Sequence, residues 1–446
     1  MTAAAAFCSA ALASWIVILV IGRPAAFLAT PWIVLLGGFV LPGLTPARLP
    51  LSGAWLLGLL LFASRERLGA TVRRGDPAAV AFTGFLALLF VITLRSPDAG
   101  QGVRMVVQGS VALATAVAFR LALDDVPRDR LLASAALAAA TLALAVTWFR
   151  LAPGAEMAFW RSAIGRTLIE PVSLDDMLRG YWFQANNSLD PAKAGAVFIN
   201  ANVASVYLSL HLVVAAITLG QRPATRWAQL ALPALIVGTL ATGSRMGAVA
   251  VLLAVTAALL AARVQRRVLV ALAAAVIVLA IPIAIPTLAR LTPRALLADE
   301  RVLLWPLAAR HVLDAPVFGG GFGDWENWVA SRLQVFGLRR ALPPHNLVLH
   351  LALWGGAVAV GVFGLFVYTL ARGMWRGWRD ARSTAGDALA VGLLIAVVLL
   401  HAMFDNFFLF DWHIGPAAAT LVALLWPAAA APADSPTPPA PGGSAP

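Results

Sequence analysis

PTLARLTPRALLADERVLLWPLAARHVLDAPVFGGGFGDWENWVASRLQVFGLRRALPPHN, residues 286–346, is the one long segment in the second half of the chain too polar to sit in lipid. It holds seven arginines (Arg290, Arg294, Arg301, Arg310, Arg332, Arg339 and Arg340), His311 and His345, three tryptophans (Trp305, Trp325 and Trp328) and the run Gly319-Gly320-Gly321-Phe322-Gly323. Apolar stretches flank it on both sides. It reads as a water-exposed cap on a bundle of membrane helices, with the chemistry expected where cap and bundle meet.

The rest of the chain supplies the bundle. Of 446 residues 61% are hydrophobic and 12% charged, where a soluble domain carries roughly 25% charge. Uncharged stretches recur along the whole length, and a helix needs about 20 apolar residues to cross the hydrocarbon layer. Alternating strand patterns are absent and Ala and Leu dominate, so the spans are expected to be helices, one of the two structures that satisfy every backbone group in lipid. The formal charge of +12 is carried almost wholly by arginine, with Lys193 as the single lysine. These arginines are scattered between apolar spans, a pattern that points to membrane anchoring and an anionic substrate rather than to nucleic acid. The single Cys8 leaves no disulfide framework and no thiolate metal cluster.

Taken in order, the sequence divides into N-terminal transmembrane helices (1–149), a first external loop (150–195), transmembrane helices (196–285), the cap (286–346), C-terminal transmembrane helices (347–430) and a disordered Pro/Gly/Ser-rich tail (431–446). About 12 to 13 spans result. The N-terminus lacks a basic leader region, so 5–21 is read as a retained span followed by a second at 25–41. Arginines crowd the short turns at 65–74, 221–226, 263–267 and 372–382, which the positive-inside rule assigns to the cytoplasm, leaving both long loops outside.

Arg245 lies in the turn Thr242-Gly243-Ser244-Arg245 on the external face, where cytoplasmic anchoring cannot explain it. Ionisable residues at the membrane boundary are functional candidates, and the competing reading is a snorkelling or salt-bridged arginine. The spacing Arg301…Trp305…Ala308 predicts an amphipathic cap helix, either lying on the membrane surface or presenting Arg301 to a substrate. Two arginines from different segments suit a diphosphate, because guanidinium binds phosphate in bidentate fashion. His345, in Pro343-Pro344-His345-Asn346, opens the next span and is a candidate base for a hydroxyl. His311, His350, His401 and His413 are rivals on the same terms. None of these spacings matches a paired metal motif. The glycine run lacks a Walker terminus and reads as a tight turn that folds the cap back, and Asp405 and Asp411 read as solvated loop acids.

Thr242-Gly243-Ser244-Arg245-Met246-Gly247-Ala248, Glu300-Arg301-Val302-Leu303-Leu304-Trp305, Asp314-Ala315-Pro316-Val317-Phe318-Gly319-Gly320-Gly321-Phe322-Gly323 and Pro344-His345-Asn346, in that order, together resemble the O-antigen ligase and polymerase superfamily of bacterial inner-membrane glycosyltransferases. Phe198-Ile199-Asn200-Ala201-Asn202 is similar to the upstream Asn-Pro-Asn element of these proteins, with alanine in place of proline. The resemblance implies an all-α polytopic membrane fold of the GT-C type with a large periplasmic helical cap. It implies transfer of a glycan from undecaprenyl diphosphate to an acceptor, most often the lipid A-core sugar, at the periplasmic face of the inner membrane and without a metal or other cofactor. Carried onto this chain, Arg245 and Arg301 would bind the diphosphate and His345 would be catalytic, with Arg310, Asn346 and Asn202 as supporting positions. Within the superfamily, a repeat-unit polymerase and a protein O-oligosaccharyltransferase remain open alternatives. A lipid-linked oligosaccharide transporter is a remoter one, disfavoured by the absence of an inverted repeat and of mid-span charges. A basic scaffold binding anionic membrane lipids would explain the arginines but not His345.

Overall fold

The computed structural model of the protein describes residues 76–123, 127–162, 165, 190, 192–218, 231–261, 300–333, 335, 342–379, 385–404, 411 and 413–426. The expected spans at 5–21, 25–41 and 268–285, the arginine turns at 65–74, 221–226 and 263–267, most of the first loop, the cap before residue 300, Arg339, Arg340, Asp405 and the tail lie outside the described residues.

Every regular element among the described residues is helical. They are α1 (Pro77–Thr93), α2 (Ala99–Ala122), α3 (Arg128–Leu151), α4 (Pro153–Arg161), a 3-10 turn (Ala196–Phe198), α5 (Ala201–Thr218), α6 (Ala231–Ala241), α7 (Arg245–Ala261), α8 (Glu300–Val312), α9 (Asp324–Ala330), α10 (Leu347–Arg379), α11 (Ala385–Phe404) and α12 (Ile414–Leu425). Among the described residues five helices are long and apolar enough to cross a membrane: Ala99–Leu121, Arg128–Leu151, Ala201–Thr218, Leu347–Arg379 and Gly386–Phe404. Four shorter apolar helices, including α1, α6 and α12, accompany them.

α5 is the central post. Nearly all of its residues are buried, and α3, α6, α7 and α11 pack around it. In lipid such association rests on close packing rather than on the hydrophobic effect, and small residues permit it. Gly238 of α6 accordingly faces Ala143 of α3, and Gly247 of α7 faces Ser205 of α5. A second core joins α1 to α10 through aromatic rings, with Phe82 against Phe366 at 4.8 Å and Phe85 against Phe363 at 5.3 Å. On α1, Phe85, Leu89 and Ile92 are buried while Val80, Phe90 and Val91 are exposed, which leaves the latter face for lipid.

The two ends of the bundle differ. At one, Arg120 donates to the carbonyl of Trp426 at 2.9 Å, Arg128 meets Asp387 at 3.6 Å, and α10 finishes on Arg376 and Arg379. The other end carries the cap and is called the cap end below.

One element departs from the expected pattern. The sequence predicts a single inward span over 347–370, but α10 is broken at Gly355 and Gly356, the latter at φ 61° and ψ −156°. The Cβ that Gly355 lacks would meet Ile92, so the break lies level with the cap end of α1. A broken helix at a membrane boundary needs partners for its freed backbone groups. The 316–321 loop supplies them from both sides: Gly320 and Gly321 donate to the carbonyls of Leu353 (2.8 Å) and Trp354 (3.1 Å), and Ala357 and Val358 donate to those of Pro316 (2.8 Å) and Val317 (3.2 Å). The α1–α2 turn clamps the same loop. Arg95 donates to the carbonyls of Gly319 and Phe318, Ser96 Oγ accepts from Phe322 N at 2.9 Å, and Asp98 N donates to Phe322 O at 2.9 Å. The glycine run is therefore a backbone seam joining cap and bundle, and more than the simple fold-back turn read from sequence.

Candidate functional site

Arg245 is the first residue of α7. Ser244 precedes it as the cap, its carbonyl accepting from Ala248 N at 3.2 Å, and Thr242 Oγ1 accepts from Ser244 N at 3.2 Å while donating to Thr239 O at 2.7 Å. Gly243 sits at φ 69° against the carbonyl of Ala192, where no larger residue fits. The turn is thus fixed by its own hydroxyls and by the end of the first loop. A cation at a helix start opposes the usual macrodipole preference, so guanidinium and helix terminus together favour an anion.

Arg301 is the second residue of α8. Leu304 and Ala308 of that helix are fully buried in a cap core with Trp325, Val329, Leu342 and Leu353. The Leu304–Ala308 face of α8 is thus occupied by protein. Trp305, one turn after Arg301, is half-buried and donates its indole N–H to the carbonyl of Pro344 at 2.8 Å. The helix bearing Arg301 is therefore tied to the residue before His345. Arg310 is exposed in the last turn of α8.

His345 is half-buried and left-handed, at φ 50°. Asn346 follows it and is buried; its Oδ1 accepts from Leu349 N at 3.1 Å, capping α10, and its Nδ2 donates to Met403 O of α11 at 3.2 Å. The carbonyl before His345 is held by Trp305, and the residue after it is anchored through its own side chain.

Gly247 near the start of α7 lies against Ser205 near the start of α5, so Arg245 and the Asn200-Ala201-Asn202 element share one end of the bundle. Phe198 meets the ring of His413 at 5.0 Å, which brings the start of α12 to that end, and Asn346 meets the finish of α11 there. Asn200 Oδ1 accepts from Asn202 N at 2.9 Å and acts as the cap of α5, leaving Asn202 half-buried in the first turn.

The rival histidines have other surroundings. His350 and His401 are buried in helices. His311 contacts Asp314 Oδ2 (2.9 Å) and Asp324 Oδ2 (2.8 Å) and stacks on Trp328. His413 Nδ1 contacts Asp411 Oδ1 at 3.2 Å, and the same oxygen accepts from the backbone of His413 and Ile414 at the start of α12. Burial alone would raise Asp411, but His413 outweighs it and holds the carboxyl below its ordinary range. It is a helix-capping acid rather than a solvated loop acid.

Glu156 was not legible as a site residue. It is buried in α4, and its Oε1 accepts from Gly195 N (2.9 Å) and Ala196 N (2.7 Å), while Trp160 Nε1 donates to Ala196 O (2.8 Å). Burial pushes this carboxyl up to about 7 although the two N–H groups pull it down. Among the described residues the non-glycine positions with positive φ are Ala196, Ile199 and His345, all at the cap end. Strain of this kind persists only where surrounding structure over-determines it, and it gathers at functional sites. The sequence signal for Glu156 is a lone acid in an apolar-aromatic stretch, too common to stand out.

The helices, their ends and the capped rim define a polytopic all-α membrane protein. Residues 230–369 match the family model described as O-antigen ligase. The match contains Arg245, Arg301, Arg310, His345 and Asn346 and excludes Asn202. No curated protein matches the chain.

Proposed function

We propose that the protein is an O-antigen ligase-like glycosyltransferase of the bacterial inner membrane that moves a glycan from undecaprenyl diphosphate to a lipid A-core sugar at the periplasmic face. The observation that carries this reading is the indole bridge from the Arg301 helix to the Pro344–His345 peptide, which sets a candidate phosphate ligand and a candidate base on one rigid unit. Arg245 adds a second guanidinium at the same end of the bundle, on a helix start that favours an anion.

In the proposed reaction the acceptor oxygen attacks sugar C1 from the face opposite the diphosphate. The C1–oxygen bond to phosphorus breaks, the anomeric configuration inverts, and the acceptor proton passes to His345. Charge grows on the departing diphosphate, where Arg245 and Arg301 stabilise it more than in the ground state. A positioned base contributes about 100- to 10,000-fold. The cap excludes water, which would otherwise hydrolyse the donor. No step requires a metal.

The test is surface-glycan profiling of a strain lacking the gene and complemented with wild type, His345→Ala or Arg245→Ala at equal membrane levels. Loss of the lipopolysaccharide ladder with accumulation of polymerised lipid-linked glycan supports a ligase. A single repeat on lipid A would instead make the protein a polymerase. Wild-type profiles from both variants would refute the assignment of these residues.

A further inference from the structure

We infer that Trp305 is a positioning residue that sets the direction of the His345 imidazole; the inference rests on the role given to His345 above. A histidine at φ 50° does not hold that conformation by itself, because left-handed backbone is disfavoured for any residue with a Cβ. Rotation about the flanking peptides would relieve it and swing the ring. On the C-terminal side the rotation is blocked by Asn346, buried and bonded to both Leu349 N and Met403 O. On the N-terminal side it is blocked by Trp305, whose indole N–H fixes the carbonyl of the buried Pro344.

The same indole lies one helical turn from Arg301, so both side chains leave α8 on one face. A shift of α8 on binding the diphosphate is thereby passed to the peptide of His345. Trp325 provides a matched comparison in the same cap: its Nε1 donates to Leu342 O, also at 2.8 Å, but that carbonyl lies three residues before His345 and Trp325 is sealed in the cap core. One indole is placed to orient the site and the other to hold the cap together.

The experiment uses Trp305→Phe, Trp325→Phe, His345→Ala and wild type, each as full-length protein. Binding of undecaprenyl diphosphate, the proposed leaving group, is measured in nanodiscs, and the initial rate of transfer of pulse-labelled glycan is measured in the complemented deletion strain per folded protein. Trp305→Phe keeps an aromatic ring toward Phe404 and removes the donor together with the indole's extra bulk, which the folded-protein normalisation takes into account. Binding is expected to stay within about twofold while transfer falls about tenfold, the size that loss of one orienting hydrogen bond allows. Trp325→Phe is expected to lower the amount of folded protein without lowering transfer per folded molecule. If His345→Ala is inactive and Trp305→Phe transfers at the wild-type rate, or loses binding and transfer in parallel, the positioning role is overturned. If His345→Ala itself transfers normally, the reading of His345 fails first, which separates the two.

Discussion

Replacing Gly356 by alanine should detach the cap from the bundle. At φ 61° and ψ −156° this residue occupies a region that is nearly exclusive to glycine, costing about 1–3 kcal/mol for any other residue. The new Cβ would also fall onto the carbonyl of Val317 and the amide of Phe318, which are backbone atoms and cannot rotate away. Relief requires withdrawing the 316–321 loop, with loss of the four hydrogen bonds to Leu353, Trp354, Ala357 and Val358. At about 1 kcal/mol each, these and the backbone term give about 5–7 kcal/mol, a large part of the whole stability of an ordinary domain. Gly361 and Gly364, farther along the same helix, have no atom within 4 Å of an added Cβ, so alanine there should be neutral or stabilising by up to about 1 kcal/mol. Heating full-length protein in detergent and following its monodisperse fraction, with limited proteolysis of the cap, distinguishes the two cases. Equal thermal resistance and equal cap protection for Gly356→Ala and Gly361→Ala would refute the reasoning.

Three further outcomes are expected. Glu156, raised from 4.5 to about 7, favours the folded state below pH 4.5, and that contribution is lost as pH rises through 7. Its ionisation above pH 7 should therefore cost about 3 kcal/mol. Glu156→Gln should abolish this dependence, so a thermal midpoint that falls from pH 5 to pH 8 equally in both proteins would count against it. Arg245→Lys and Arg301→Lys keep the charge but lose the bidentate fork, and each should weaken undecaprenyl diphosphate binding about tenfold; unchanged binding would favour an anchoring role. Asn346→Ala should destabilise by about 2 kcal/mol through the lost cap and the lost tie to Met403, read as a lowered thermal midpoint.

The helical membrane class was legible because uncharged runs of span length dominate the chain, and the likeness to O-antigen ligases over 230–369 because Ser244-Arg245, Arg301 and Pro344-His345-Asn346 are short local motifs at helix starts. The break in α10 was not legible. Gly355-Gly356 sits inside a continuous apolar run, and only its pairing with the 316–321 loop, about 35 residues away in sequence, shows that the glycines serve a broken helix. The hold on His345 was hidden for a similar reason. Trp305 could be placed on the Arg301 face by spacing, but its hydrogen bond to Pro344 spans 39 residues. Glu156 was invisible because its partners are backbone groups, which carry no residue identity.

The seam at Gly355–Gly356 also limits how the cap can part from the bundle. Lifting the cap along that edge would strand four amides and four carbonyls beside apolar surroundings, a heavier penalty than parting a few side chains elsewhere. The 316–321 loop is therefore the edge at which separating cap from bundle costs most. With Cys8 replaced, spin labels at the exposed positions 94 and 318 should keep a constant separation during turnover. Movement of this pair would show that the seam opens.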